Sequence, residues 1–296
     1  MRQSPEQRLA GKTILVTGAT GGIGFIAART LTAMGANVVI VGRDPAKTQA
    51  SVTQIQRQTG ATSSVNGLTA DLSSMQEVRR LAAEFQAQYP RLDVLLNNAG
   101  AVFLSRQTTV DGYERTFALN HLAPFLLTHL LLDRLKADAP ARVVTVGSMA
   151  HRGQTLDVDD VNQTRRGYSA WRAYGESKLA NIMFTYALAR RLEGSGVTAN
   201  TLHPGFVATG FAKNNGPLWQ VAMSLARPFA ISPERGAQTS IYLASSPDVA
   251  ALSGRYFVRS KPAKSSQASY DVAAQERLWS LSEQMTGVTM EKAGAR

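Results

Sequence analysis

Short apolar runs alternate along the chain with longer stretches in which apolar residues recur at helical spacing. The runs are rich in Val, Ile and Leu and almost continuous, which is typical of strands buried on both faces of a parallel sheet. This alternation predicts a doubly wound α/β fold with a mainly parallel sheet. We predict seven strands, at Thr13–Thr17, Asn37–Val41, Val65–Leu68, Leu92–Leu96, Arg142–Gly147, Val197–Leu202 and Arg255–Val258.

Helix start signals support the intervening helices. Ser73 and Ser74 are alternative caps for a helix that ends at Tyr89, because each is followed three residues later by Gln or Glu. Ser232 precedes Pro233, a residue that suits the first position of a helix. The other predicted helices are Ile23–Met34, Gly112–Lys136, Trp171–Glu193, Pro233–Ala244 and Ala273–Met285.

Two long segments, Met149–Ala170 and Phe206–Ile231, interrupt the alternation of predicted strands and helices. Long loops in compact domains are usually functional or disordered. Both segments would leave the carboxyl ends of strands, which is where ligands bind in open α/β sheets. We therefore expect them to shape a binding site. Lys261–Ser269 is rich in Ser, Lys and Ala, and we expect it to be mobile.

Composition narrows the class of protein. The chain has 296 residues, of which 44% are hydrophobic, and this is enough for one large core. We predict a single domain over residues 1–296, with a substrate loop at about 206–231 and a C-terminal extension at about 260–296. Because there is no cysteine, disulfides and thiolate chemistry are excluded. The four histidines show no metal-binding spacing, so we expect no metal site.

The net charge is +11, from 32 basic and 21 acidic residues. The basic residues are dispersed, which argues against a nucleic-acid partner. A solvated basic surface and attraction to an anionic small molecule both stay open. No apolar run reaches the ~18 residues of a membrane span, and Met1–Gly11 is too polar for a secretory signal. We expect a cytoplasmic protein without an integral membrane segment, and the sequence leaves a homo-oligomer open.

The first predicted strand runs into a glycine-rich turn, Gly18-Ala19-Thr20-Gly21-Gly22-Ile23-Gly24, and a helix follows. Bare backbone N–H groups at the positive end of a helix can bind a pyrophosphate. We expect Gly18 to permit the tight turn, Gly22 to let the cofactor approach, and Gly24 to allow close packing of helix on strand. An ordinary strand-to-helix turn is the alternative.

Further motifs follow this turn in the order found in the short-chain dehydrogenase/reductase family, which the chain resembles. They are Asn97-Asn98-Ala99-Gly100, then Asn120, Ser148, Tyr174 and Lys178, then Pro204-Gly205. The resemblance implies a Rossmann fold, a nicotinamide cofactor and interconversion of a carbonyl and an alcohol by hydride transfer. A narrower resemblance, to the retinol-dehydrogenase-like and WW-domain-oxidoreductase-like branch, rests on Phe117–Leu122, Tyr174–Asn181, Gly254–Phe257 and Arg277–Trp279.

The resemblance also implies a catalytic group of Asn120, Ser148, Tyr174 and Lys178. Tyr174 and Lys178 are four residues apart on a predicted helix and share a face. An ammonium beside a phenol lowers the phenol pKa from about 10, which suits proton transfer at neutral pH. By resemblance, Ser148 orients the substrate oxygen, Asn120 holds a water that relays protons, and Lys178 also holds the nicotinamide ribose.

Other cofactor contacts are carried over from the family pattern. Asp71 resembles its adenine-contacting residue, with helix entry as the alternative role. The backbone of Val207 and the hydroxyl of Thr209 are expected to contact the carboxamide of the nicotinamide. The remaining expected contacts are Leu72, Asn98, Ala99 and Gly100.

The end of the second strand bears on the choice of cofactor. An acidic residue there would bind the adenosine ribose hydroxyls and favour NAD. Gly42 stands there instead, and the guanidinium of the following Arg43 pairs well with a 2′-phosphate. These residues favour NADP(H). Asp44 keeps NAD(H) open if the strand ends one residue later.

The apolar spacing of Leu218–Leu225 predicts a substrate lid with an apolar inner wall. A plain packing helix and a membrane-touching face are the alternatives. We therefore expect the substrate to be an apolar ketone, aldehyde or secondary alcohol. His151 is expected to be a solvated loop residue, with a place in the pocket wall as the alternative. A non-catalytic NADP(H)-binding sensor or scaffold is the rival function, and the full catalytic group argues against it.

Overall fold

The computed structural model describes residues 8–61, 64–207 and 230–289. Its strands are β1 (Thr13–Thr17), β2 (Asn37–Gly42), β3 (Val65–Thr69), β4 (Val94–Asn97), β5 (Ala141–Val146), β6 (Val197–His203), β7 (Arg255–Val258) and β8 (Lys261–Ala263). They form one sheet in the order β3-β2-β1-β4-β5-β6-β7-β8. Every neighbouring pair is parallel except β7 and β8. Since β4 is added on the far side of β1 from β2, the sheet is doubly wound.

Helices cover both faces of the sheet. They are α1 (Gly22–Ala33), α2 (Pro45–Thr59), α3 (Met75–Gln88), α4 (Arg115–Phe117), α5 (Ala123–Leu130), α6 (Leu132–Ala137), α7 (Ala170–Arg191), α8 (Pro233–Ser245) and α9 (Val272–Thr286). Side chains of α3, α5, α7 and α9 share one buried apolar cluster with the sheet. Side chains of α1, α2 and α8 share a second. The predicted fold class, a mainly parallel sheet between two helical layers, is confirmed.

The sheet has one strand more than predicted. The segment Lys261–Ser269 was expected to be mobile, and this expectation is wrong. Lys261–Ala263 pairs antiparallel with β7, and Gln267–Tyr270 forms a 3-10 turn. A short edge strand that contains Lys and Pro discourages further pairing, so β8 protects the edge of the sheet that β7 was expected to form.

The helix α2 was not predicted from the sequence. Its buried side chains are Thr48, Ser51, Val52 and Ile55, so half of its inner face is polar. Such a face gives no clear apolar period. The sequence nevertheless contained the usual signals for a helix start, since the carboxylate of Asp44 caps the helix and Pro45 is its first residue.

The single helix predicted for Gly112–Lys136 is divided into several pieces. A π-helix at Ala118–Leu122 separates α4 from α5, and the backbone N–H of Ala123 donates to the carbonyl of Ala118, five residues back. Pro124 follows, and it has no N–H to donate to Asn120, four residues back. The wide turn therefore forms where the ordinary helical ladder loses a donor, and it carries Asn120.

His121, the next residue of the π-helix, ties this turn to the C-terminal helix. Its side chain is fully buried, with Nε2 2.9 Å from Oγ of Ser282 in α9 and Nδ1 3.4 Å from Oδ1 of Asn181 in α7. Its ring also lies 4.9 Å from that of Phe117. Burial lowers the pKa of His121 from 6.5 to about 4, so the imidazole is neutral at physiological pH.

Some features are absent from the part of the chain that the structure describes. No helix among these residues is both long enough and apolar enough to cross a bilayer. No group of three or more His, Asp or Glu side chains among them is placed to hold a metal ion. The expectations of a metal-free site and of a single domain over residues 1–296 stay predictions.

The pKa of His121 predicts how stability depends on pH. A histidine whose folded pKa lies below its unfolded value stabilises the protein above the unfolded pKa and loses that effect as pH falls. Between pH 7 and pH 5, His121 should contribute a loss of about 2 kcal/mol in the free energy of unfolding. In urea unfolding, we therefore expect the free energy of unfolding of the His121→Asn variant to fall by about 2 kcal/mol less between pH 7 and pH 5 than that of the wild type. Equal losses would contradict this assignment.

Candidate active site

The glycine-rich turn and the loop after β4 touch each other closely. Gly18 has a φ of +66°, and a Cβ at this position would lie 2.7 Å from Cα of Ala99. A Cβ at Gly24 would lie 2.4 Å from Nδ2 of Asn98 and 2.5 Å from the carbonyl oxygen of Gly18. These approaches exclude any side chain at either glycine. The tight contact of Gly24 is therefore with the loop and the turn.

Hydrogen bonds lock the two motifs together. The buried hydroxyl of Thr17 accepts from the backbone N–H groups of Asn98 at 3.0 Å and Ala99 at 3.1 Å. In return, Nδ2 of Asn98 donates to the carbonyls of Thr17 at 2.9 Å and Gly18 at 3.1 Å. The backbone of the turn is thus held by hydrogen bonds to the loop after β4.

The N-terminus of α1 fits an anion. Side chains cap the helices α2, α3, α7, α8 and α9. At α1 the cap is Gly21, with no side-chain acceptor and no acidic residue in the first turn among the described residues. A Cβ at Gly21 would meet nothing within 4 Å, so the helix end faces open space. Free N–H donors and a positive helix end are what the pyrophosphate of a dinucleotide requires.

β2 ends at Gly42, one residue later than the Val41 predicted from the sequence, which is the case in which Asp44 keeps NAD(H) open. A Cβ at Gly42 would lie 2.2 Å from Oγ1 of Thr48 and 2.4 Å from Cγ2 of Thr20, so the fold leaves no room for an acidic residue there. Asp44 caps α2 by accepting from the backbone N–H of Lys47 at 2.9 Å. Arg43 is exposed, and its side chain has no ion pair with the described residues.

The next two expected cofactor contacts lie after β3. The carboxylate of Asp71 accepts from the backbone N–H of Ser73 at 2.9 Å and from its hydroxyl at 2.7 Å. These bonds match the alternative role at the entry to a helix, and the carboxylate is still half-exposed. Leu72 is buried among apolar side chains.

Tyr174 lies near the start of α7 with 8% of its surface exposed, and its phenol is hydrogen-bonded to the hydroxyl of Ser148. Burial raises the pKa of Tyr174 to about 12, and the bond from Ser148 acts in the opposite direction. The sequence led us to expect a lowered pKa. Burial prevails because Nζ of Lys178 lies 5.7 Å from the ring centroid, on the face of the ring.

Lys178 is buried, with 3% of its surface exposed, and its ammonium donates to the carbonyl of Val146 at the end of β5 at 3.0 Å. Burial lowers the pKa of Lys178 to about 8. A Cβ at Gly100 would lie 3.1 Å from this nitrogen and 3.2 Å from Oδ1 of Asn120. The loop after β4 can pass the ammonium closely because residue 100 carries no side chain.

The side chain of Asn120 is held by two other elements. Its Oδ1 accepts from the backbone N–H of Ala101 at 2.9 Å, while Nδ2 donates to the carbonyl of Ala101 at 3.0 Å and to the hydroxyl of Ser177 at 2.9 Å. These bonds fix the loop after β4 to α7. A water held by Asn120 would therefore use its main-chain carbonyl, which Pro124 leaves without the usual helical donor.

Val207 follows β6 and packs near the helix α1. It forms a bridge with Ile231, and a Cβ at Gly236 would lie 2.6 Å from Cγ2 of Val207 and 3.3 Å from Cγ1 of Ile23. The chain after β6 therefore packs beside the helix that follows the glycine-rich turn. Thr209 and the lid predicted at Leu218–Leu225 lie outside the described residues.

Four exposed apolar side chains stand at the carboxyl edge of the sheet, three on segments that follow strands and one at the start of α7. Leu104, Met149 and Phe206 follow β4, β5 and β6, and Trp171 precedes Tyr174 by three residues, with the two rings 6.5 Å apart. Between 39% and 53% of the surface of each is exposed. We call these four residues the apolar rim. Exposed apolar side chains gathered at one place on a protein are a sign of a binding surface.

Sequence reasoning missed the histidines around this site. His151 is neither solvated nor in a pocket wall: it is fully buried, Nδ1 bonds to the carbonyl of Ser148, and Nε2 accepts from the backbone N–H of Ser266 at 3.0 Å. His203, at the end of β6, accepts from the backbone N–H of Met149. The three-residue spacing from Ser148 to His151 was the available signal for the contact between these two residues, but not for the burial of the ring.

The fold and these contacts define a dinucleotide-binding α/β protein with a serine, tyrosine and lysine at the carboxyl edge of its sheet. Residues 12–217 match the family model described as short chain dehydrogenase. Retinol dehydrogenase 13 of Homo sapiens is 40% identical over 285 residues, 95% of this chain and 86% of that protein. Polyprenol dehydrogenase of Homo sapiens is 40% identical over 286 residues, 94% of this chain and 86% of that protein. The chain therefore belongs to the short-chain dehydrogenase/reductase family, and the predicted retinol-dehydrogenase-like branch is confirmed.

Solved structures show the same architecture. A crystal structure of an uncharacterized protein from Mycobacterium paratuberculosis has a TM-score of 0.78 and 34% identity, covering 95% of this chain and 96% of that chain. The complex of RhlG with NADP from Pseudomonas aeruginosa has a TM-score of 0.68 and 31% identity, covering 86% of this chain and 97% of that chain.

The close contact of Gly24 predicts a difference between two alanine substitutions. Gly24→Ala should lower the free energy of unfolding by about 3 kcal/mol, because its Cβ would overlap Asn98 and the Gly18 carbonyl. Gly21→Ala is the matched control: its Cβ would meet nothing within 4 Å and should cost less than about 1 kcal/mol. Urea unfolding of both variants measures the difference. Equal stability of the two would show that the turn is not packed as described.

Proposed function

We propose that the protein is an NADP(H)-dependent oxidoreductase that interconverts a carbonyl and an alcohol on an apolar substrate. The observation that carries this proposal is the group of half-buried Ser148 and buried Tyr174 and Lys178 at the same edge of the sheet as the uncapped N-terminus of α1. Membership of the short-chain dehydrogenase/reductase family supports the reaction class. The NADP complex of RhlG supports a nicotinamide dinucleotide as the cofactor.

Each member of the group has a role that follows from its contacts. The nicotinamide supplies or accepts the hydride when it is bound. Tyr174 gives a proton to the carbonyl oxygen in reduction and takes one from the alcohol in oxidation. Ser148 is bonded to the phenol, so its hydroxyl is placed to hold the same substrate oxygen. Asn120 fixes the loop after β4 to α7, the helix that carries Tyr174 and Lys178.

Lys178 supplies the charge that the phenol needs. With a pKa of about 12, Tyr174 is protonated at neutral pH, which is the form that donates to a carbonyl. In the oxidative direction a phenolate must form, and the ammonium beside the ring stabilises it. Because the pKa of Lys178 is about 8, most of the amine is charged at neutral pH.

The role of Tyr174 is tested by removing its hydroxyl. We expect Tyr174→Phe to lower kcat about 10²–10⁴-fold in both directions while the Kd of NADPH stays within twofold, since proton transfer contributes an effect of this size. Tyr186→Phe is the control, because this second buried phenol on α7 bonds to Ser265. Turnover retained in Tyr174→Phe, with a substrate that the wild type reduces, would refute the assignment.

A preference for NADP(H) is proposed from the end of β2. The fold excludes a side chain at Gly42, engages Asp44 as a helix cap, and leaves the charge of Arg43 without an ion-pair partner among the described residues. A guanidinium in this position is suited to the 2′-phosphate that distinguishes NADP from NAD. Arg43 therefore sets the preference.

We expect Arg43→Ala to raise the Kd of NADPH at least about tenfold and that of NADH less than about twofold, because a charge-assisted bond to phosphate contributes ~1.5–3 kcal/mol. Arg57→Ala, which removes an exposed charge from the far end of α2, is the control for net charge. Calorimetric titration with both cofactors measures the values. An equal change for NADPH and NADH would count against the preference.

An apolar substrate is proposed from the apolar rim and from the relatives. Two relatives are a retinol dehydrogenase and a polyprenol dehydrogenase. In this chain the rim supplies exposed apolar surface at the edge of the sheet that carries Tyr174, and its member Trp171 lies beside the Tyr174 ring. The net charge of +11 makes an anionic substrate the competing candidate.

A cytoplasmic location of the protein stays a prediction. Whether the protein forms a homo-oligomer stays open.

Chain length and salt separate these two substrate classes. For a series of alkyl ketones, we expect kcat/KM to rise about fourfold for each added CH₂ until the rim is covered, with little effect of salt. Trp171→Ala should reduce the gain per CH₂, whereas Val272→Ala, an exposed apolar residue of α9, should not. A flat response to chain length with a steep fall in added salt would instead favour an anionic substrate.

A further inference from the structure

Two histidines hold the two ends of one peptide unit beside Ser148. The carbonyl of Ser148 is bonded to Nδ1 of His151, and the N–H of the same peptide, contributed by Met149, donates to Nδ1 of His203 at 3.2 Å. His151 stands on the 3-10 turn that follows β5, and His203 is the last residue of β6. The Ser148–Met149 peptide is therefore gripped from two different elements.

The hydrogen-bond partners fix the proton positions on both rings. Nε2 of His151 accepts from the backbone N–H of Ser266 at 3.0 Å, so it carries no proton. The proton of a neutral His151 is then on Nδ1, where it is donated to Ser148. Because Nδ1 of His203 accepts a backbone N–H, it carries none. The bond from the peptide to His203 therefore requires a neutral imidazole, and at His151 the bond accepted from Ser266 requires one.

The surroundings keep both rings neutral. Burial lowers the pKa of His203 to about 4 and also lowers that of His151. The positive charge of Arg152 also lowers the pKa of both rings, because it disfavours a second positive charge nearby. The ring of Tyr256, whose pKa burial raises to about 12, lies 5.3 Å from the ring of His151.

This grip bears on the catalytic hydroxyl. Ser148 has extended backbone angles, φ −160° and ψ 156°, and its Oγ both accepts from the backbone N–H of Ala150 at 3.2 Å and bonds to the phenol of Tyr174. Rotation of the Ser148–Met149 peptide would change ψ of Ser148 and the turn that Ala150 belongs to. The direction of Oγ toward Tyr174 thus depends on that peptide staying fixed.

We propose that His151 and His203 are positioning residues that clamp the Ser148–Met149 peptide and thereby aim the Ser148 hydroxyl at Tyr174. The clamp extends the site to the C-terminal part of the chain, because Ser266, which fixes the tautomer of His151, follows β8. The proposal rests on the proposed oxidoreductase function for its kinetic consequence. Its structural content, the tautomers and the fixed peptide, is independent of that function.

Pairs of variants separate the hydrogen bond from the bulk of each ring. An Asn side chain places an acceptor or donor near the position of Nδ1, so His203→Asn and His151→Asn should keep kcat within about threefold of wild type. His203→Leu and His151→Leu remove the bonds and should lower kcat at least tenfold, with the Kd of NADPH within twofold. Leu variants as active as wild type, or Asn variants as inactive as Leu, would overturn the clamp.

A double-mutant cycle tests whether the effect passes through Ser148. In a Ser148→Ala background, His203→Leu should lower kcat less than twofold further. A full tenfold loss there would show that His203 acts elsewhere and would overturn the proposal.

Nitrogen-15 NMR of the labelled histidines at pH 7 gives a readout that needs neither turnover nor a Leu variant that folds. We expect His151 to be protonated on Nδ1 only and His203 to be unprotonated on Nδ1. The opposite tautomer at either ring would overturn the proposal. The expected tautomers in a protein that turns over no carbonyl or alcohol would uphold the clamp and refute the proposed function.

Discussion

The buried ammonium of Lys178 is the feature on which the rest of the site depends. A charge removed from water needs a compensating partner, and the carbonyl of Val146 supplies one where β5 ends. The ammonium leaves room at residue 100 only for a glycine, because a Cβ there would lie 3.1 Å from its nitrogen. The same helix, α7, carries Tyr174 one turn before Lys178. No described carboxylate forms an ion pair with the amine, so its charge remains available to the phenol. We infer that this charge is what lets a phenol with a raised pKa serve in both directions of the reaction.

The surrounding contacts act on the same edge of the sheet. Parallel strands bring their carboxyl ends together, and hydrogen bonds between neighbouring loops then fix what stands there. Asn98 joins the loop after β4 to the turn after β1, and Asn120 joins that loop to α7. His151, on the turn after β5, and His203, at the end of β6, hold the Ser148–Met149 peptide. In each case a side chain satisfies backbone groups that have left the regular sheet, which is the usual way in which buried backbone is kept paired.

The sequence predicted what depends on local pattern and missed what depends on distant contacts. The strands were found because a sheet covered on both faces needs continuous apolar runs, as at β1 and β2. The helix α2 was missed because Thr48 and Ser51 pack inward without an apolar signal. His151 is buried against Ser266, which lies 115 residues away in the sequence, so no local pattern could predict its burial. The direction of the pKa shift at Tyr174 was wrong because spacing shows that a lysine is near but not how deeply the phenol is buried.

Transfer of a labelled hydride is the most direct test of the proposed function. Wild-type protein is mixed in a single turnover with an alkyl ketone and NADPH carrying deuterium at both C4 positions of the nicotinamide, and the product is analysed by mass spectrometry. We predict one deuterium on the carbinol carbon of the product alcohol, with NADP⁺ formed in equal amount. NADPH that binds tightly but remains unoxidised across a panel of alkyl ketones and aldehydes would contradict the account and point to a protein that binds the cofactor without using it.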